Sequence, residues 1–169
     1  MLIKSNLLII SETDLAWLAG IIDGEGCIGF TTTRTQKGNI AFQPAIRIGN
    51  TDKSLIQKAS QIFKAYSKNK VDYGKVTRKT IGKDGCQRKD YFEISLKRME
   101  DVKNLLVDLL PFLTAKRDLA EEFIGYCKHR IPNMKRDKML RSYDDWETNF
   151  IAEYHTGKMI KAGVSAAKT

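Results

Sequence analysis

The segment Ile40–Asn50 constrains the fold most strongly, because apolar side chains alternate with polar or small ones along its whole length. One face comprises Ile40, Phe42, Pro44, Ile46 and Ile48, and the other comprises Ala41, Gln43, Ala45, Arg47 and Gly49. A period of two with one apolar face predicts a strand of an antiparallel sheet that is buried on one side only. A partner strand is predicted over Cys27–Gln36, joined to the first by a turn at Lys37–Asn39.

Helical patterns surround this hairpin and a second one. Ser11 is predicted to cap a first helix that stops at the glycines Gly24 and Gly26. The later elements are predicted to be a helix over Asp52–Tyr66, strands over Val71–Thr80 and Gln87–Lys97, and helices over Met99–Leu110, Thr114–Arg130 and Ser142–His155. This order predicts an α+β fold in which helices cover one face of an antiparallel sheet. The 169 residues are predicted to form a single domain, with an N-terminal segment over 1–10 and a C-terminal extension over 131–169.

The chain is strongly basic, with 29 Lys and Arg against 20 Asp and Glu and a net charge of +9. This excess favours a polyanionic partner such as nucleic acid, the alternative being that the charge serves solubility or is common among the host's proteins. The polar face of the predicted sheet also favours such a partner, the alternative being an ordinary solvated face. Three cysteines without close spacing and two histidines argue against a disulfide framework and a Cys/His zinc site. No apolar run reaches the 18 residues of a membrane span. We therefore expect an intracellular protein that contacts no membrane, in the cytoplasm of a prokaryote or in an organelle of a eukaryote.

The first predicted helix carries small residues at a spacing of four, namely Ala16, Gly20 and Gly24, with Ala19 beside them. Small residues in such a stripe let a second helix approach closely. Glu25 follows between two glycines, which let the backbone bend sharply at that point. Two copies of this helix side by side would bring two Glu25 carboxylates together, and a divalent cation would then relieve their repulsion.

The residues Leu18–Gly26 resemble the nine-residue signature of the LAGLIDADG homing endonucleases. Six of the nine positions are identical, and Ile21, Gly24 and Glu25 replace Leu, Ala and Asp. The resemblance spans roughly residues 11–130 through the motif and the element order. It implies an αββαββα fold with a saddle-shaped sheet and extra C-terminal helices, and a site-specific double-strand DNA endonuclease encoded within an intron. It also implies Mg²⁺ as the cofactor, with Mn²⁺ as a substitute, and a homodimer, because the chain holds one copy of the motif.

Several residue roles follow from the resemblance. Glu25 and the carbonyl of Gly24 are expected to bind the metal, although Glu is one methylene longer than the usual Asp. Lys116, which follows Pro111-Phe112-Leu113, is expected to be a catalytic lysine, its alternative being a plain surface lysine. Asp52 is expected either to order water in the active site or to cap the helix that follows it. The expected dimer interface comprises Ala16, Ala19, Gly20, Asp23 and Gly24.

The open face of the sheet is the expected DNA-reading surface, because strands can lie in the major groove and present alternate side chains to base edges. On that face Arg47 suits guanine and Gln43 suits adenine. The other candidates on the strands are Thr31, Thr33, Thr35, Lys75, Thr77, Lys79, Lys89, Tyr91, Glu93 and Ser95. The candidates for phosphate contacts near the hairpin tips are Arg34, Lys37, Lys83 and Arg88. Since a strand of about ten residues spans about 33 Å, a dimer is expected to cover a pseudo-palindrome of roughly 20 base pairs.

Two other functions compete with the endonuclease. One is a non-cleaving nucleic-acid-binding protein of the same fold, such as an RNA maturase or a transcription regulator. The other is a small basic RNA-binding or ribosome-associated protein, which would explain the charge and the polar sheet face. Glu25 and Lys116 favour the enzyme over a non-cleaving binding protein of the same fold. A ribosome-associated or RNA-binding protein would leave the arrangement of Gly20, Gly24 and Glu25 unexplained.

Overall fold

The computed structural model describes residues 10–34, 40–67, 72–76, 89–136 and 142–157. Their elements in chain order are α1 (Glu12–Glu25), β1 (Gly26–Arg34), β2 (Ile40–Asn50), α2 (Lys53–Tyr66), β3 (Asp72–Val76), β4 (Tyr91–Leu96), α3 (Met99–Leu109), α4 (Arg117–Arg136) and α5 (Asp145–His155). The predicted α+β class and element order are confirmed. The predicted turn at Lys37–Asn39 and the tip of the second hairpin lie outside the described residues.

The four described strands form one antiparallel sheet in the order β1-β2-β4-β3. Ile28 of β1 lies opposite Ile46 of β2, and Ile46 lies opposite Leu96 of β4, so one apolar row crosses the sheet. All three side chains are buried, and helices α1 to α4 cover this face with Ile22, Phe63, Leu106, Phe123 and other apolar residues. The alternation in the sequence is thus explained, because one face of the sheet faces the core and the other remains open.

Helix α1 has well-defined ends. Its N-cap Ser11 accepts a hydrogen bond from the Asp14 backbone N–H at 3.1 Å, and the Ser11 hydroxyl donates to the Asp14 carboxylate at 2.8 Å. At the other end Gly26 turns the chain directly into β1. A Cβ at this glycine would lie 2.6 Å from the Cα of Ile22, so no larger residue fits. The last residue of α1, Glu25, and the first residue of β1, Gly26, are therefore adjacent, and the helix end is held at the start of the sheet.

The described part of the C-terminal extension packs against the same core. Helix α4 continues past Pro132 to Arg136, so the predicted boundary at residue 131 falls inside a helix. Helix α5 places Phe150 next to Phe123 and Phe30, with ring centroids 5.6 and 6.1 Å away. The hydroxyl of Tyr143 also bonds the backbone of β2, accepting from the Phe42 N–H at 2.6 Å and donating to its carbonyl at 3.1 Å. None of the helices in the described ranges is long and apolar enough to span a membrane.

Candidate active site at the end of the first helix

Glu25 is the last residue of α1, and its side chain is exposed. One of its carboxylate oxygens, Oε2, accepts a hydrogen bond from the side-chain amide of Asn50. Asn50 is the last residue of β2, which runs beside β1 with Ile48 opposite Gly26. The pairing of β1 with β2 therefore brings the Asn50 amide to the end of the helix.

Asn50, and not Asp52, is the polar residue that reaches Glu25. The Asp52 carboxylate caps α2, accepting from the Ser54 N–H at 2.8 Å, the Ser54 hydroxyl at 2.7 Å and the Leu55 N–H at 3.3 Å. These bonds, with the Ser54 hydroxyl first, lower the pKa of Asp52 below its ordinary value. Of the two predicted roles for Asp52, the structure shows the helix cap, and Asn50 is the residue that contacts Glu25. The backbone N–H of Asp52 in turn donates to the Asn50 side-chain oxygen at 2.8 Å, which holds the amide in place.

Lys116 lies at the same helix end as Glu25. Its ammonium group donates to the carbonyl oxygens of Ile22 and Asp23, both at 2.6 Å. These carbonyls belong to the last turn of α1, where backbone acceptors lack partners within the helix and the helix dipole is negative. The lysine therefore neutralises the end of the helix that carries Glu25.

Asp23 holds the segment that carries this lysine. Its carboxylate accepts hydrogen bonds from the backbone N–H of Thr114 at 2.7 Å and of Lys116 at 2.9 Å. The first residues of α4 follow at once, and the carbonyl of Lys116 accepts from Ala120. Asp23 was expected at the dimer interface, but its carboxylate bonds within its own chain. The end of α1 and the start of α4 are thus joined twice, because the Asp23 side chain accepts from the Lys116 backbone and the Lys116 side chain donates to the Asp23 backbone.

The predicted small-residue stripe is exposed at three of its positions. Ala16, Gly20 and Gly24 are exposed, and a Cβ at either glycine would have no atom within 4 Å. Ala19 is fully buried in the core of its own chain, so its assignment to the dimer interface is wrong. One position along a helix turns a side chain by about 100°, which carries residue 19 away from the stripe.

The open face of the sheet carries most of the described DNA-binding candidates. Thr33, Arg34 and Lys89 are exposed. The half-buried candidates on this face are Thr31, Gln43, Arg47, Tyr91 and Glu93. The Arg47 guanidinium donates to the Cys27 sulfur at 3.6 Å, and the Thr31 hydroxyl donates to the Gln43 carbonyl at 3.2 Å.

One of these candidates needs correction. Ser95 is 7% exposed, so its predicted contact with a base is wrong. Lys75 lies in β3, where it pairs with Phe92 of β4. The candidates Thr35, Lys37, Thr77, Lys79, Lys83 and Arg88 lie outside the described residues.

The donors around Glu25 suit a hard divalent cation. Its exposed carboxylate and the nearby backbone carbonyl of Gly24 are oxygen ligands of the kind that Mg²⁺ and Mn²⁺ prefer. In the part of the chain that the structure describes, Glu25 does not belong to a group of three or more potential metal-binding side chains.

Comparison with known proteins gives a consistent fold. No protein-family model matches the chain, and no curated protein is similar in sequence. Among solved structures, the homing endonuclease I-CvuI in complex with its target has a TM-score of 0.55 at 18% identity, covering 94% of this chain and 85% of that one. The archaeal intron-encoded homing endonuclease I-Vdi141I, complexed with DNA, has a TM-score of 0.53 at 13% identity, covering 86% and 99%.

A third similar structure is longer than this chain. The I-SmaMI LAGLIDADG homing endonuclease bound to cleaved DNA has a TM-score of 0.59 at 12% identity. The match covers 92% of this chain and 47% of that one, so this chain spans about half the length of I-SmaMI. At these identities the similarity shows the fold, which is the homing-endonuclease fold that the motif predicts.

Proposed function

We propose that this chain, which has the fold of the LAGLIDADG homing endonucleases, is one half of a metal-dependent enzyme that cuts a specific site in double-stranded DNA. The observation that carries the proposal is the exposed Glu25 carboxylate at the end of an exposed stripe of small residues, Ala16, Gly20 and Gly24. A helix pair packed along this stripe would bring two such carboxylates to one point. Metal-dependent phosphodiester hydrolysis uses such a centre of negative ligands for a divalent cation.

The residues around Glu25 have distinct roles in this proposal. Glu25 and the Gly24 carbonyl would hold Mg²⁺, with Mn²⁺ as a substitute, and such an ion would supply an activated water and stabilisation of developing negative charge. Asn50 donates to one Glu25 oxygen and so fixes the direction of the other. Lys116 supplies a positive charge at the same helix end, and Asp23 keeps its backbone in position.

DNA recognition is assigned to the open face of the sheet. The net charge of +9 suits a polyanion, and the similar solved structures I-CvuI, I-CeuI and I-Vdi141I hold DNA. Thr33, Arg34 and Lys89 are the exposed donors on or beside this face. With two-fold symmetry the dimer would recognise a pseudo-palindrome of roughly 20 base pairs. A gene within an intron would place this target in the intron-free allele.

A non-cleaving DNA- or RNA-binding protein of the same fold is the second candidate. The observation that favours it is that the Lys116 ammonium donates to two main-chain carbonyls at 2.6 Å, which is a structural use of the lysine. The two candidates differ in one measurable property, the cutting of bound DNA.

Cleavage is tested with purified protein, Mg²⁺ and duplex DNA that spans the intron-free allele. The wild-type chain is expected to cut both strands, while Glu25→Gln is expected to bind the duplex with unchanged affinity and to leave it intact. Glu12→Gln is the matched control, because Glu12 is an exposed glutamate at the opposite end of the same helix. Binding without cutting by the wild type under any divalent ion would support the second candidate, and cutting by Glu25→Gln would remove Glu25 from the site.

Dimerisation is tested by sedimentation at micromolar protein. Gly20→Leu adds a bulky group to the exposed stripe, at a position where a Cβ has no atom of its own chain within 4 Å. This variant is expected to fold and to sediment as a monomer. Gly125→Leu is the matched control, because Gly125 is an exposed helical glycine of α4 with equally open space. A Gly20→Leu variant that still forms a stable dimer would show that the stripe is not the interface.

A further inference from the structure

A second group of potential metal ligands lies between α4 and α5, away from the end of α1. His129 projects from α4, Asp144 is the N-cap of α5, and Glu147 is in the first turn of α5. The His129 Nε2 atom is 2.6 Å from Asp144 Oδ2. One ligand atom from each of the three residues lies within 4.8 Å of the other two. The side chains of His129 and Asp144 are 40% and 45% exposed, so solvent reaches the group from one side.

The Glu147 carboxylate is buried and only partly hydrogen-bonded. Its side chain is 1% exposed. The Oε2 atom accepts from Arg130 at 2.6 Å and from the Asp144 backbone N–H at 3.0 Å. The Oε1 atom is also buried, and within the described residues it has no hydrogen-bond partner. A buried carboxylate oxygen without a partner is costly, so it calls for a cation or another donor at this place.

We infer that His129, Asp144 and Glu147 bind a divalent transition-metal ion of the Zn²⁺ class. One imidazole nitrogen and two carboxylate oxygens are ligands that Zn²⁺ and Co²⁺ accept, whereas Mg²⁺ and Ca²⁺ prefer oxygen alone. The exposed side leaves a position for water as the fourth ligand. Arg130 bonds one oxygen of Glu147 and so serves as the outer partner that orients a ligating carboxylate.

The position of the group gives the ion a structural role. The ion would join the last third of α4 to the first turn of α5 across the segment that links them, and α5 carries the aromatic residues that cover the edge of β1. A bond between distant points of a chain removes conformational freedom from the unfolded state. The ion would therefore stabilise the docking of α5, and the nuclease site would not contain it.

Binding is tested with Co²⁺ and Zn²⁺ and without DNA, on Glu25→Gln protein so that the end of α1 offers no metal site. Co²⁺ is expected to produce visible absorption bands and to quench the fluorescence of Trp146, whose ring lies 4.7 Å from that of His129. The only other tryptophan, Trp17, is on α1. Zn²⁺ at a hundred-fold excess over its dissociation constant is expected to raise Tm by roughly 5 °C. Since neither readout involves cutting, failure of the nuclease proposal would leave this one standing.

Variants locate the ion. His129→Ala is expected to fold normally by circular dichroism, because the side chain is exposed, and to weaken Co²⁺ binding at least tenfold. His155→Ala is the matched control, because His155 is the only other histidine and is also exposed. Glu147→Gln keeps the size of the buried side chain and is also expected to weaken binding. An absence of Co²⁺ bands in the parent protein, or equal Co²⁺ affinity in His129→Ala, would overturn the inference.

Discussion

Replacing Asp23 by Asn tests how the end of α1 is held to the start of α4. The change keeps the shape of the side chain but turns one acceptor oxygen into an NH₂ group, while both partners, the N–H groups of Thr114 and Lys116, are donors. One hydrogen bond is lost, a donor then faces a donor, and the remaining bond loses its charge.

The size of the effect follows from these two bonds. A hydrogen bond to a charged group contributes about 1.5–3 kcal/mol, and an unsatisfied donor costs about 1–3 kcal/mol when buried. Because the bond to Thr114 is exposed, water replaces part of it. We therefore expect Asp23→Asn to lower the free energy of unfolding by about 2 kcal/mol.

The measurement is urea unfolding of Asp23→Asn beside the wild type and beside Asp118→Asn. Asp118 is an exposed aspartate in the first turn of α4, where loss of its charge is expected to cost at most about 0.5 kcal/mol at physiological salt. If Asp23→Asn lost no more stability than Asp118→Asn, the proposed anchoring of the Lys116 segment by Asp23 would be refuted.

Three further predictions concern other parts of the molecule. Gly26→Ala is expected to lower the free energy of unfolding in urea by about 2 kcal/mol, since its Cβ would lie 2.6 Å from the Ile22 backbone. The Cβ of Gly49→Ala would meet only the movable Tyr91 phenol, so this variant is expected to change DNA preference in binding assays instead. Arg130→Met leaves the buried Glu147 carboxylate without its cation and is expected to lower the free energy of unfolding by about 3–5 kcal/mol. Adding Glu147→Leu should restore part of this stability, and no recovery in the double variant would argue against the ion pair. The pKa of Asp52 is lowered in the folded state, chiefly by Ser54, so the Asp52 carboxylate stabilises the fold above its ordinary pKa of 3.8 and this stabilisation is lost as pH falls through the lowered pKa. The Tm difference between wild type and Asp52→Ala should therefore shrink in acid. An undiminished difference would contradict the cap.

The fold was predictable from the sequence because its signals are local. The alternation over Ile40–Asn50 and the cap at Ser11 each specify an element without knowledge of the rest, and both are confirmed. The start of β1 differs from the prediction by one residue and the start of α4 by three, and α4 continues six residues beyond its predicted end at Arg130. Such boundaries depend on hydrogen bonds to other elements.

The candidate site was only partly predictable because its remaining contacts depend on register. Asn50 ends β2 and Asp52 follows it two residues later, and only the pairing of β1 with β2 decides which one contacts Glu25. The group of His129, Asp144 and Glu147 was missed for a similar reason, since the spacing of histidines and cysteines alone does not show carboxylates from a second helix.

The charges at the end of α1 bear on the proposed pairing of two chains. Asp23 and Glu25 each carry a negative charge and Lys116 carries a positive charge, so these three side chains leave one net negative charge in each chain. Two chains paired along Ala16, Gly20 and Gly24 would bring two such charges together, which would disfavour the pair in the absence of a cation. A divalent cation held by the two Glu25 carboxylates would balance that charge. In the proposed enzyme, Glu25 would therefore make the association of the two chains depend on the cation, and dimerisation would be linked to catalysis.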